Sequence, residues 1–189
     1  MFKKYLPAAL VALLPLLAQP ATAATVPVID VPAATADYAA FGGTGDLLIF
    51  DAPATGMDFA HSGDLFVNLA ITFAQDAPYA DVDGVFTLQD GTGELLSGLL
   101  TSVTAGADQL SLGFGGITGP LAAQFLNGLS VEMFFFDPMG TDPLRALTAG
   151  NSYDVAIMAV PAPIPLPAGG VLLASGLGLL VLRRRRQTA

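Results

Sequence analysis

The chain has 189 residues, no Cys and no Trp, 53% hydrophobic residues, 12% charged residues and a formal net charge of −9. Without Cys, a disulfide scaffold, thiolate zinc sites and thiol catalysis fall away together. The acidic balance argues against nucleic acid as a partner, which needs a basic footprint.

The charge is segmented. Lys3 and Lys4 open the chain, Arg183 to Arg186 nearly close it, and Arg145 is the one basic residue between them. All 16 acids lie from Asp30 to Asp154, so residues 24–160, with one arginine against 16 acids, carry −15. The termini and the middle are different kinds of segment.

Lys3 and Lys4 form a positive start, and an apolar stretch runs from Leu6 to about Ala18. Ala21-Thr22-Ala23 then places small residues at the two positions signal peptidase reads. The stretch is shorter than the roughly 20 apolar residues a membrane helix needs. Residues 1–23 are therefore read as a secretory signal peptide, cut after Ala23 or one residue later, with signal peptidase as the first partner.

Residues 24–160 show short apolar runs of period two, separated by Gly, Asp, Asn and Pro, which is the pattern of strands and turns. The strand candidates in chain order are Leu47–Phe50, Leu65–Phe73, Val85–Gln89, Leu95–Leu100, Leu110–Phe114, Leu129–Phe135 and Tyr153–Ala159. Seven antiparallel strands suggest an all-β sandwich, jelly-roll-like or Ig-like. Pro120 to Asn127 is predicted as a short helix across one end or edge, with Pro120 opening it and Gly128 ending it. Phe134, Phe135 and Phe136 are adjacent. The favoured expectation is that both faces of their strand are covered; the alternative is an exposed apolar patch.

Sites in the middle are few. His61 is the sole histidine. A catalytic triad would need it beside Ser62 or Asp64, and no nucleophile elbow occurs, so His61 is read as a surface-loop residue and no catalytic residue is assigned. Paired carboxylates for glycoside hydrolysis would arise by chance among 16 acids, and sugar-stacking aromatics are thin. Fourteen of the acids are Asp, a hard-oxygen ligand common in loops. Tyr79-Ala80-Asp81-Val82-Asp83-Gly84, with Asp90 at the twelfth position, resembles the opening of a calcium loop. Tyr79 replaces its first carboxylate, and Pro78 and the following strand deny it the helices of an EF-hand. The remaining option is a β-turn calcium site on Asp81, Asp83 and Asp90. Against it stands the solvation of an apolar domain by turn-capping Asp, and no cofactor is required.

Residues 161–167 alternate Pro with small or apolar residues and should be extended. Residues 168–182 are uncharged. As a helix at ~1.5 Å per residue they reach about 22 Å, a marginal span that the proline segment lengthens and snorkelling arginines support. Residues 183–189, with Arg183, Arg184, Arg185 and Arg186, form a basic tail that should stay cytoplasmic.

Ile164-Pro165-Leu166-Pro167-Ala168, a short Gly-containing apolar helix and the arginine cluster, in that order, resemble a VPLPA-CTERM signal, a variant of the PEP-CTERM sorting signals of Gram-negative bacteria. Ile164 stands where that motif has Val, a conservative departure. The resemblance covers about the last 25 residues and implies an exosortase, a membrane enzyme with a catalytic Cys, as a partner. It implies a cut near the Pro-Leu-Pro motif and release from a transient inner-membrane anchor to the envelope, cell surface or extracellular matrix. It carries no fold across to the middle.

The sequence thus predicts an exported, exosortase-sorted, non-catalytic structural or interaction protein. An adhesin module that binds glycan or calcium, with extracellular polysaccharide as partner, is the alternative. A secreted hydrolase ranks last.

Overall fold

Alternation of inward apolar and outward polar side chains produces eight strands. They are β1 (Val28–Phe41), β2 (Thr44–Met57), β3 (Leu65–Ala74), β4 (Val82–Asp90), β5 (Gly93–Gly106), β6 (Gln109–Thr118), β7 (Leu129–Phe135) and β8 (Ser152–Pro161). The structure is a computed structural model and describes residues 26–163 other than 59, 60, 62, 126 and 127. Each strand pairs antiparallel with the next, and β8 returns to β1, so the sheet closes into an up-and-down barrel.

This corrects the expected sandwich. The reason is parity. A meander closes antiparallel only with an even number of strands, because with seven the first and last would run parallel. The strand missing from the sequence reading is β1, and it supplies closure by pairing with both β2 and β8. Closure removes the free edges that a sandwich keeps.

An eight-stranded barrel is just wide enough for side chains to fill it. Here Ile29, Val31, Leu47, Ile71, Phe73, Phe86, Leu110, Phe114, Val131 and Ile157, among others, are buried inside, and no polar or charged residue among those described is buried with them. Phe86 and Phe114 meet as tilted rings 5.8 Å apart. Asp37, Asp83, Glu94 and Asp154 point outward from the strands and are exposed. The outer face is mixed, since Phe41, Phe50, Leu99 and Phe134 are exposed on it as well as these carboxylates; the lipid face of a transmembrane barrel is an apolar band.

One end of the barrel holds the start of β1, the end of β8, the β2–β3 and β4–β5 connections and the β6–β7 connection. We call it the tether end. The predicted helix at Pro120–Asn127 is here a single 3-10 turn, Ala122–Phe125, whose Phe125 is fully buried as a plug. The opposite, distal end carries the β1–β2, β3–β4, β5–β6 and β7–β8 connections. The last includes a one-turn helix, α1 (Pro143–Ala146), which the sequence reading did not anticipate.

The expected signal and membrane helices fall outside the described residues. Among those described, no helix is long and apolar enough to cross a membrane.

The Phe134–Phe136 expectation also needs correction. Phe135 is buried in the barrel, but Phe134 and Phe136 are 38% and 60% exposed. Among the described residues the barrel is a single layer, with nothing outside it to cover the second face.

Candidate functional site

Ala21 and Ala23, Ile164 to Ala168, and Arg183 to Arg186 lie outside the described residues. What the structure does place is the pair of points from which those segments depart. Ile29 pairs with Ala159 across β1 and β8, so both chain ends leave the barrel side by side at the tether end.

The three carboxylates of the calcium reading do not meet. Asp81 and Asp83 stand at the distal start of β4, and Asp90 ends that strand at the tether end. A nine-residue strand at about 3.3 Å per residue separates them by roughly 25 Å. The spacing that would bring the first and twelfth positions of a loop together is here spent on extended chain. Asp90 has local work instead. Its Oδ1 accepts from Thr92 Oγ1 (2.6 Å), Thr92 N (2.7 Å) and Gly93 N (3.0 Å), which builds the β4–β5 turn. The Thr92 hydroxyl, and then the Thr92 and Gly93 amides, hold the Asp90 carboxyl below its usual range. Asp81 and Asp83 are exposed, and among the described residues no group of three or more His, Asp or Glu is close enough to share an ion.

His61 is not the solvent-facing loop residue expected. Its side chain is only 14% exposed and lies over Asp90, with Nε2 3.4 Å from Asp90 Oδ2. The contact does not meet hydrogen-bond geometry, and Nε2 is buried without another partner among the described residues. Asp64 is exposed. No described serine or threonine hydroxyl is hydrogen-bonded to His61, so no nucleophile–base pair forms around it among the described residues.

The distal end is fastened by side chains. Tyr79 Oη donates to Asp142 Oδ1 (2.7 Å) and accepts from Leu144 N (3.3 Å). Arg145 Nε lies 3.1 Å from Asp142 Oδ2, and its Nη2 donates to Asp76 O (3.1 Å). The lone arginine of the acidic segment therefore ties α1 to the β3–β4 connection. Burial, and then the hydrogen bond to Asp142, push the Tyr79 phenol up to about 12. Asp108 works beside it. Its Oδ1 accepts from Met139 N (2.6 Å) and Gly140 N (2.7 Å), with its own backbone left-handed at φ 57°. These bonds hold Leu144 and Met139 down on the core as a lid. They are structural in character: each polar atom is consumed in fastening one loop to another.

Among the hollows of the described surface, two bear on the site question. One, of about 180 Å³, lies beside the distal lid between Tyr38, Gln75 and Arg145. The larger, of about 350 Å³, lies on the outer face over β6. Thr101, Ser102, Ser111, Gly113, Ser130 and Pro163 line it, and none of its lining residues is charged. Thr101 Oγ1 donates to Gly113 O. Outward glycines on β6 leave the strand without side chains there, so hydroxyls of β5 fold over it. Sequence reading missed this feature. The alternation Leu110, Leu112, Phe114 was legible, but the outward Gly113 and Gly115 carry no side chain from which a hollow could be read.

Compared with family models, with curated proteins and with solved structures, the chain matches none of them.

Proposed function

We propose that this chain is exported, sorted through its C-terminal tail by an exosortase-type enzyme, and serves without catalysis as a structural or interaction protein of the cell surface or matrix. The observation that carries this reading is the departure of both chain ends from one end of a filled barrel. A tail that is first a membrane anchor and then a sorting signal leaves the opposite end and the sides of the barrel free for contact. The order of Ile164-Pro165-Leu166-Pro167-Ala168, apolar segment and arginines supports the sorting route. The filled interior speaks for contacts made by the outer surface, since ligand-carrying barrels keep a cavity.

A second reading, an adhesin module for neutral glycan, is favoured by the uncharged, hydroxyl-lined hollow over β6. Silence on a glycan array would set it aside. A calcium role would now rest on Asp81 and Asp83 without Asp90, and a melting temperature unmoved by millimolar calcium would remove it.

The deciding measurement for the main reading is mass spectrometry of both ends of the mature protein, with and without the exosortase. The expected product lacks residues 1–23 and everything beyond about Pro167. Retention of Arg183 to Arg186 in sorting-competent cells overturns the sorting step.

A further inference from the structure

The barrel is closed, but its seams are not equally long. β4 and β5 pair from Asp90 and Gly93 up to Val85 and Leu99, and no further. β4 continues distally to Val82, bonded to β3. β5 continues to Gly106, bonded to β6 alone. Two register shifts precede this part of β5: between Ser97 and Leu99 the extra residue lies in β6, and between Leu100 and Ser102 it is Thr101 of β5. Beyond them the register is regular from Ser102 to Gly106, opposite Gly113 to Gln109. Among the described residues, nothing bonds to the other backbone edge of this stretch.

An unpaired strand edge is a template for another strand, and proteins usually blunt such an edge with Lys, Pro or an inward charge. Here the sequence from Leu95 to Ala107 contains no charge and no proline. Ser102, Thr104 and Ala105 are exposed, and Val103 is half-buried. Thr and Val favour extended chain.

We infer that the free edge of β5, Ser102 to Gly106, pairs antiparallel with the same edge of a second copy of this chain. This names a partner for the interaction role and rests on that reading. Charge permits the occupant. Residues 24–160 of each copy carry −15, but the strip itself holds no carboxylate, so pairing there adds none to the repulsion between copies. A self-complementary antiparallel edge also satisfies two-fold symmetry, with Thr104 at its centre opposite itself. Asp81 and Asp83 border the strip across the open seam, so salt should strengthen the pairing by screening them.

Five paired residues bury less than a standard interface, so the contact is weak in dilute solution. Copies tethered to one surface meet at an effective concentration of the order of millimolar, where a weak edge suffices. The tether end and the β5 edge suit this arrangement: the strip lies in the distal half, clear of the exit of both chain ends.

The absence of Cys gives a clean test. Thr104→Cys is introduced into the full-length chain in an exporting host, and intact cells are treated with a mild oxidant. Ala39→Cys, exposed on distal β1, is the control. The expected result is about tenfold more disulfide dimer from Thr104→Cys, since pairing across the two-fold brings those sulfurs within bonding reach. Adding Ser102→Lys should suppress that dimer several-fold, while adding Ala39→Lys, the same change in net charge elsewhere, should not. Raising salt should increase the dimer. Equal cross-linking of Thr104→Cys and its control overturns the pairing, including the case in which the chain's own tail covers the edge. So does a dimer that Ser102→Lys leaves unchanged. End-mapping that shows an uncut tail beside a strong Thr104→Cys dimer would refute sorting and leave the pairing standing; the converse result would refute the pairing alone.

Discussion

The two ends of the barrel are closed by different physics. At the tether end the lid is a 3-10 turn whose Phe125 is driven into the core, and its fastenings are backbone bonds: Leu121 N to Leu95 O and Ala162 N to Gly128 O. At the distal end the lid carries Leu144 and Met139, but carboxylates hold it, with Asp108 and Asp142 receiving amides, a phenol and a guanidinium. An apolar plug depends on volume. A polar clamp depends on each donor and acceptor keeping its partner. The two ends should therefore fail under different changes.

The largest expected effect is at the tether end. Phe125→Ala removes a fully buried ring and leaves a cavity, with an expected loss of about 3–5 kcal/mol in urea unfolding. Phe125→Leu should cost less than about 1.5 kcal/mol, because most of the volume is kept. Neither loss should depend on salt. An equal loss for both substitutions would mean that ring shape, and not filled volume, closes this end.

Asp108 tests the distal end. Asp108→Ala strands the amides of Met139 and Gly140 and forces a left-handed backbone on a residue that resists it, for an expected loss of about 2–3 kcal/mol. Asp108→Asn keeps an acceptor and tolerates that backbone, so it should cost about 1 kcal/mol. If Asn proves as damaging as Ala, charge is what matters there, and the clamp is more electrostatic than its geometry suggests.

The same distinction explains what the sequence disclosed. Strand periodicity is legible wherever alternation is uninterrupted, as in Leu65 to Phe73, whose every second residue is buried as expected. It fails at bulges. In β1 the inward set is Ile29 and Val31, and then Ala34, Ala36 and Tyr38, because Pro32 and Ala33 shift the phase. In β2 the inward set passes from Leu47 and Ile49 to Ala52, with the shift at Phe50 and Asp51. In β5 the shift falls at Thr101. Each phase change cut a strand short on paper, and in β1, where the inward residues after the bulge include small alanines, it hid the strand altogether. One hidden strand changed the parity and so changed the architecture from barrel to sandwich.

Clamps are illegible for another reason. Arg145 stood out by composition, and Asp142 lies only three residues before it, but Asp76 and Tyr79 reach this pair only after β4 to β7 have wound round the barrel. Asp90 misled in the opposite direction. Its spacing from Asp81 fits a loop, and only the extended geometry of β4 separates the two. The half-buried His61 carries no pattern at all, because a single side chain folding back over a turn leaves no period.

The smallest expected effects are in pH, and they set the two ends against each other once more. At the distal end, the Tyr79 phenol ionises at about 12 when folded and near its ordinary value of 10.0 when unfolded. The unfolded chain therefore releases this proton first as pH rises. Stability owed to the neutral phenol is whole below pH 10 and drains away as pH climbs toward 12. Tyr79→Phe should flatten that alkaline decline while lowering neutral stability by about 1 kcal/mol through the lost bond to Asp142. At the tether end the sign reverses. Asp90 is held below its ordinary 3.8 when folded, so its contribution is present above that value and lost as pH falls through the lower folded one. Thr92→Val keeps the amide and the branched shape but removes the hydroxyl that lowers Asp90 most. It should flatten the acid limb and leave the alkaline limb untouched. Melting curves from pH 2 to pH 12 on the two variants decide the matter. If either substitution moved both limbs, the ends of this barrel would be coupled through the core, and the contrast between plug and clamp would no longer describe two independent closures.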